Sequence, residues 1–230
     1  MKHLVVFSGA GISADSGLKT FRDSGGLWEE YDIEQVATPE AWAANPELVL
    51  NFYNLRREQV RRAQPNDAHR AIAELERVFD VTVVTQNIDD LHERAGSSRV
   101  IHLHGEVLKA RSSLNPSLVV PVEGDIHMGD LAPDGSQLRP NVVWFGEPVS
   151  ELPRAVEAFS KADLAMIVGT SLNVFPAANL IYEAPKGIPM YLIDPAEVRN
   201  TGIPGLRVIR KRAVEGLPEL ARELLQEAPR

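Results

Sequence analysis

The chain has 230 residues, 44% of them hydrophobic and 24% charged, which is enough to bury one large core without disulfides or metals. Its formal net charge of −8 argues against sequence-independent DNA binding, which needs Lys and Arg to neutralise phosphates. The absence of cysteine removes disulfides, thiolate nucleophiles and thiolate metal sites together.

Met1-Lys2-His3 is followed by an apolar run, Leu4–Phe7, that is too short for a signal peptide. No run approaches the length that spans a bilayer, so a cytoplasmic protein without a membrane or nucleic-acid partner is expected. Leu4–Phe7 reads as a buried strand leading into Ser8-Gly9-Ala10-Gly11-Ile12-Ser13. Glycines there allow a sharp turn and close approach to a pyrophosphate, and a helix start behind them offers unpaired N–H groups to an anion. A tight strand-to-helix turn without a ligand explains two glycines equally well, and Ala14 stands where the dinucleotide fingerprint has its third glycine.

Residues 28–63 contain a long helical pattern and no strand. Within it Tyr53 and Arg56 are spaced i, i+3 and share a helix face. A hydroxyl and a guanidinium there can grip a carboxylate. A surface helix with one aromatic packed inward and a solvated Arg is the plainer alternative. Asp67–Val78 places Ala68, Ala71, Ile72, Leu75 and Val78 on one helix face. The strand-like run Val81–Thr85 then ends in Gln86-Asn87-Ile88-Asp89. Polar residues at the end of a parallel strand face the ligand crevice, although Asn87 or Asp89 can equally cap the next helix.

Ile101-His102-Leu103-His104-Gly105 places two histidines at i, i+2 on an extended segment. Imidazole suits general-base work near neutral pH, and a purely structural histidine is the alternative. Residues 111–137 are rich in Pro, Gly and Asp, with a strand-like piece at Ser117–Val122, and read as a second insertion. The runs Val142–Phe145, Leu164–Val168, Met190–Ile193 and Arg207–Ile209 read as further buried strands, and Leu217–Leu225 as an amphipathic helix. The expected fold is α/β: a parallel Rossmann-like sheet with helices on both faces, plus a small module formed by two insertions. The larger part takes in about 1–28, 64–105 and 138–230, and the small module about 29–63 and 106–137.

Five motifs in order are similar to those of the sirtuin family. Gly-Ala-Gly-Ile-Ser from Gly9, followed by Phe21-Arg22 and Gly26-Leu27-Trp28, resembles the sirtuin cofactor loop. Thr85-Gln86-Asn87-Ile88-Asp89, His104-Gly105, Leu138-Arg139-Pro140 with Val143-Trp144-Phe145-Gly146-Glu147, and Gly169-Thr170-Ser171 complete the match, which runs from about Leu4 to Leu225. The resemblance implies an NAD-dependent protein-lysine deacylase that releases nicotinamide and O-acyl-ADP-ribose. It assigns the general base to His104, with Asn87 and Asp89 positioning nicotinamide and ribose. It places the cofactor against Gly9, Ala10, Gly11, Ser13, Phe21, Arg22, Trp28, Gln86, Ile88, Gly169, Thr170, Ser171 and Ala213. At Leu192-Ile193-Asp194-Pro195 the chain departs from the family, which often has Asn near Leu192, and Asp194 is expected to bind a ribose hydroxyl instead. Phe21 shields the reacting centre from water, and Arg22 orders the loop. The acyl-lysine peptide lies between Val143, Phe145, Gly146 and Glu147 on one side and Asn173 and Val174 on the other, by strand addition.

Class III sirtuins use a Tyr-x-x-Arg pair for succinyl- or malonyl-lysine, which carries over to Tyr53 and Arg56, with deacetylation as a second activity. Most sirtuins hold a four-cysteine zinc ribbon between the catalytic His and the Leu-Arg-Pro motif. Here Ser112 stands where a first cysteine is expected, and Asp125, His127 and Asp130 lack a structural zinc pattern, so no zinc is expected. That module is expected to hold by apolar packing of Leu114, Leu118, Val119, Val120, Val122 and Ile126. An NAD-dependent ADP-ribosyltransferase and a non-catalytic reader of ADP-ribose or acyl-lysine are the competing readings.

Overall fold

The computed structural model describes residues 1–20, 31–197 and 201–227. Its strands and α-helices in chain order are β1 (Lys2–Ser8), α1 (Ile33–Val36), α2 (Pro39–Ala44), α3 (Pro46–Arg62), α4 (Asp67–Leu75), β2 (Phe79–Thr85), α5 (Leu91–Ala95), β3 (Val100–His102), β4 (Gly105–Ser112), β5 (Val119–Pro121), β6 (Leu138–Val142), α6 (Leu152–Ser160), β7 (Leu164–Val168), β8 (Met190–Ile193), β9 (Arg207–Ile209) and α7 (Ala213–Glu227). Six strands form a parallel sheet in the order β3-β2-β1-β7-β8-β9. The near-continuous apolar sequence of β1, β2, β7 and β8 follows from burial on both faces. β9, expected to be buried, is instead the largely exposed edge strand, since only β8 flanks it. On one face Leu4, Val6, Val83, Met166 and Ile193 pack against α4 and α7. On the other, Val5, Phe7, Val84, Ala165 and Ile167 pack against α6 and the 3₁₀ turn Ala177–Tyr182. No helix among the described residues is long and apolar enough to cross a membrane.

Chain order reverses between β1 and β7, which is where an open α/β sheet leaves a crevice at its carboxyl edge. Ser8 pairs with both Thr85 and Val168, so three strands end at one level. They present Gly9, Gln86 and Gly169 side by side.

Residues 31–62 fold as three helices instead of one. Thr38 caps Ala41 N–H ahead of α2, and Asn45 caps Leu48 N–H ahead of α3, each with proline at the first turn. The strand expected at Val142–Phe145 is displaced. The strand is Leu138–Val142, and it pairs antiparallel with β4 in a second sheet of order β5-β4-β6. Its apolar end, Val142 with Trp144 beyond it, is buried by α2 and α3 through Ala41, Val49, Phe52 and Tyr53, and not by the parallel sheet.

The packing expected in residues 112–126 is corrected in part. Ile126 is buried with Leu50 and Ala110, and Val120 and Val122 flank them. Leu114 is 81% exposed and Val119 42% exposed, because they lie at the far edge of β4 and β5, away from the helices. A polar knot does the tying instead. Ser112 Oγ donates to Asp134 Oδ2 (2.6 Å), contacts Ser136 Oγ (2.7 Å) and accepts from the backbone N–H groups of Leu114 and Asn115. No group of three or more metal-ligating side chains exists among the described residues, so the donor set does not fit a structural zinc.

Ser112→Ala removes the acceptor of those two N–H groups and one of the bonds to the Asp134 carboxylate, which keeps those from Ser136. It is expected to lower unfolding free energy by about 1–3 kcal/mol in urea denaturation, while a chelator leaves the wild-type melting temperature unchanged. A melting temperature that drops with chelator would show a metal in place of the knot.

Candidate active site

A cavity of about 570 Å³ opens at the reversal point. Gly9, Ala10, Gly11, Gln86, Asn87, Ile88, His104, Gly169, Thr170, Ser171, Asp194 and Ala213 line it, together with Tyr53, Arg56, Val143, Phe145, Gly146, Glu147 and Val174. Ser13 and Asp89 lie one layer beneath, and Asn173 is exposed outside the lining. Phe21, Arg22 and Trp28 fall outside the described residues.

The glycines have a concrete steric reason. A Cβ on Gly9 would sit 2.7 Å from Gly169 O, and one on Gly11 would sit 2.7 Å from Gly169 Cα. Gly169 itself has φ +59°, the left-handed region that suits glycine. The β1 and β7 loops thus meet backbone against backbone, with Gly11 N–H donating to Gly169 O at 2.9 Å. Gln86 crosses above them, its Nε2 donating to Thr170 Oγ1 at 3.0 Å.

The loop after β2 is laced to the segment after β3. Leu103 N–H donates to Thr85 O (2.9 Å), His104 Nδ1 to Gln86 O (3.0 Å), His102 Nδ1 to Asn87 O (3.2 Å) and Val107 N–H to Ile88 O (2.8 Å). Four consecutive carbonyls are engaged. Because a carbonyl only accepts, His104 carries its proton on Nδ1, leaving the Nε2 lone pair for chemistry. Burial pushes the His104 pKa below the usual imidazole value, and the Gln86 carbonyl offsets this only in part. The ring is neutral near pH 7, as a base must be.

Asn87 Nδ2 donates to Gly9 O (3.1 Å) and Ser13 Oγ (3.3 Å). Ser13 Oγ in turn donates to Asp89 Oδ2 (3.0 Å), while Asp89 Oδ1 accepts from Leu91 N–H (3.1 Å). Burial raises the Asp89 pKa against the lowering effect of these two bonds. Beneath this layer Ser8 Oγ donates to Thr85 Oγ1 and accepts from His92 Nε2, each at 2.9 Å.

Tyr53 and Arg56 project from α3, 4% and 5% exposed. Burial lowers the Arg56 pKa and raises that of Tyr53. Arg56 Nη1 donates to Gln59 Oε1 at 3.0 Å, which steadies the guanidinium. The turn beside Tyr53 is fixed by Glu147. Its carboxylate accepts from Arg139 (2.7 and 3.1 Å), Arg111 (3.2 Å) and the Trp144 N–H (2.8 Å), while the Arg139 guanidinium stacks 3.2 Å from the Trp144 ring centre. Glu147 therefore shapes the 143–146 turn through its carboxylate.

Several lining residues carry no motif signal. Phe52, Asp15 and Arg212 are examples. Arg212 Nη1 reaches Asp15 Oδ1 at 2.8 Å across 197 positions, joining the start of α7 to the first loop. Only the fold brings these two together.

The model of the Sir2 family matches residues 9–176. An NAD-dependent protein deacylase of Bacteroides thetaiotaomicron is 53% identical over 235 residues, covering 100% of each chain. One of Helicobacter pylori J99 is 52% identical over 229 residues, covering 99% of this chain and 97% of its own. A Sir2 homologue solved in complex with NAD superposes with a TM-score of 0.87 at 43% identity, covering 99% of this chain and 91% of that one. The cavity fits such a molecule, since Gly9, Gly11 and Gly169 line it with backbone and α7 starts at its edge.

Gly11→Ala pushes the β1 and β7 loops apart. NAD affinity measured by calorimetry is expected to fall about tenfold or more, a loss of roughly 1.4 kcal/mol. Unchanged affinity would mean that this backbone contact does not shape the dinucleotide site.

Proposed function

The chain belongs to the Sir2 family, and on that premise we propose that it is an NAD-dependent protein deacylase that removes succinyl and malonyl as well as acetyl groups from lysine side chains. The observation that carries the acyl preference is the placement of Tyr53 and Arg56, both buried, in the same cavity as His104 and Asn87. A succinyl carboxylate reaching that end of the cavity meets a guanidinium already out of bulk water. Charge pairing there is strong because little solvent screens it. An acetyl group has no charge to match.

NAD, when bound, would supply the acceptor for the acyl group, so that with one water consumed the products are nicotinamide, O-acyl-ADP-ribose and the free lysine. Gly9, Ala10, Gly11, Gly169, Thr170, Ser171, Asp194 and Ala213 hold it in this reading, with Phe21, Arg22 and Trp28 assigned by the sequence resemblance alone. Asn87 and Asp89, tied together through Ser13, fix the nicotinamide end of the site. His104 takes the proton from a ribose hydroxyl at its Nε2, its Nδ1–H being held by Gln86. Val143 to Gly146 and Asn173–Val174 flank the acyl-lysine peptide. Val143 N–H donates to His104 O at 2.9 Å, which links the base to the peptide wall.

Arg56→Met keeps much of the side-chain volume and removes the charge. It is expected to lower kcat/KM for a succinyl-lysine peptide by about 2–5 kcal/mol, roughly thirtyfold to several thousandfold, while acetyl-lysine turnover changes only a few-fold. Equal losses on both peptides would contradict the carboxylate role and leave deacetylation as the activity.

A further inference from the structure

One residue before Leu103 and two before the candidate base, His102 stands between two groups that can only accept. Its Nδ1 is 3.2 Å from the Asn87 carbonyl, and its Nε2 is 2.7 Å from Glu93 Oε1. Neither a carbonyl nor a carboxylate has a proton to give. Both contacts are satisfied together only when both ring nitrogens donate, which is the imidazolium form. The side chain is only 9% exposed, so an unpaired charge there would be strongly unfavourable, and Glu93 is its counter-ion.

The charged groups around the ring agree. Glu93 comes from α5 and Glu106 from β4, Asp89 lies in the loop after β2, His92 is on α5, and Lys109 of β4 acts on Glu93. Burial pushes His102 down, but the Glu93 hydrogen bond and charge, with Glu106, carry it above the usual imidazole value. Burial raises Glu93, yet its bond to His102 holds it below the usual carboxylate value. His92 goes the other way, pushed down by burial and by the neighbouring His69 and His102.

We propose that His102 is a positioning residue for NAD cleavage: as an imidazolium it pins the Asn87 carbonyl, which keeps the Asn87 side chain on Gly9 and Ser13. The proposal rests on the assignment of Asn87 to the nicotinamide end of the site. A neutral ring has one N–H for two acceptors. With that proton on the Glu93 side, the Nδ1 lone pair faces the Asn87 oxygen and the pin is lost. The sign follows: the pin is present below the raised folded pKa and disappears as pH rises through it. His104 works in the opposite sense, since its base form is gained as pH rises through its lowered value. The profile of kcat/KM for NAD therefore has an acid limb set by His104 and an alkaline limb set by His102.

The test is that profile in wild type, Glu93→Gln and Glu93→Asp, with an acetyl-lysine peptide so that acyl preference plays no part. Glu93→Gln is expected to move the alkaline limb toward acid by about one pH unit and to leave the acid limb in place. Glu93→Asp, which keeps the charge, retains most of the wild-type position. An alkaline limb that does not move in Glu93→Gln overturns the positioning role. Titration of the His102 Cε1 proton by NMR, assigned with His102→Gln, needs no turnover. A midpoint above about 6.5 is expected, and one at or below that value overturns the imidazolium. A raised midpoint in a protein that does not cleave NAD would count against the proposed reaction and not against the charge state of His102.

Discussion

The site depends on the run of four carbonyls from Thr85 to Ile88, each engaged by a donor between His102 and Val107. This lacing connects the end of the parallel sheet to the start of the antiparallel one, because β4 begins at Gly105. A loop that carries Gln86, Asn87 and Asp89 is thereby held at four successive points. The candidate base is itself one of those donors, so its tautomer and orientation are set by the same contacts that hold the loop. Val143 N–H completes the node by donating to His104 O, which brings the 143–146 turn under the same constraint. Unpaired buried carbonyls would be unfavourable, so the arrangement favours one geometry over its neighbours.

Beneath the lacing is a buried polar layer, from His92 through Ser8 to Thr85 and from Asp89 through Ser13 to Asn87. Such a layer is tolerated because its members find partners, and it sets protonation states as well as positions. The glycine loops above it touch without side chains between them, which leaves the cavity floor as backbone. The same economy of contacts recurs in the second sheet. There Ser112, Asp134 and Ser136 tie the end of β4 to the loop ahead of β6, and Arg139, Arg111 and Glu147 stiffen the turn facing the cavity.

Much of this was legible in the sequence. The apolar runs of β1, β2, β7 and β8 are buried on both faces, so their pattern alone locates them, whereas β9 forms where expected but as the exposed last strand of the sheet, with Val208 48% exposed. Val142–Phe145 has the same pattern for another reason. It is covered by α2 and α3, and composition cannot tell which neighbour does the covering. Leu114 and Val119 are apolar yet exposed, because only one side of that sheet meets a helix. The Ser112 knot and the Asp15–Arg212 pair gave no signal, since each joins common polar side chains that only the fold brings together. The charge of His102 was also invisible, because it follows from the identity of two acceptors and not from the His-x-His spacing.

The most direct test of the central claim is mass spectrometry of the products formed from NAD and a succinyl-lysine peptide. The account predicts nicotinamide, free-lysine peptide and O-succinyl-ADP-ribose in equal amounts. Free succinate without NAD loss, or ADP-ribose attached to the peptide or to the protein itself, would contradict it.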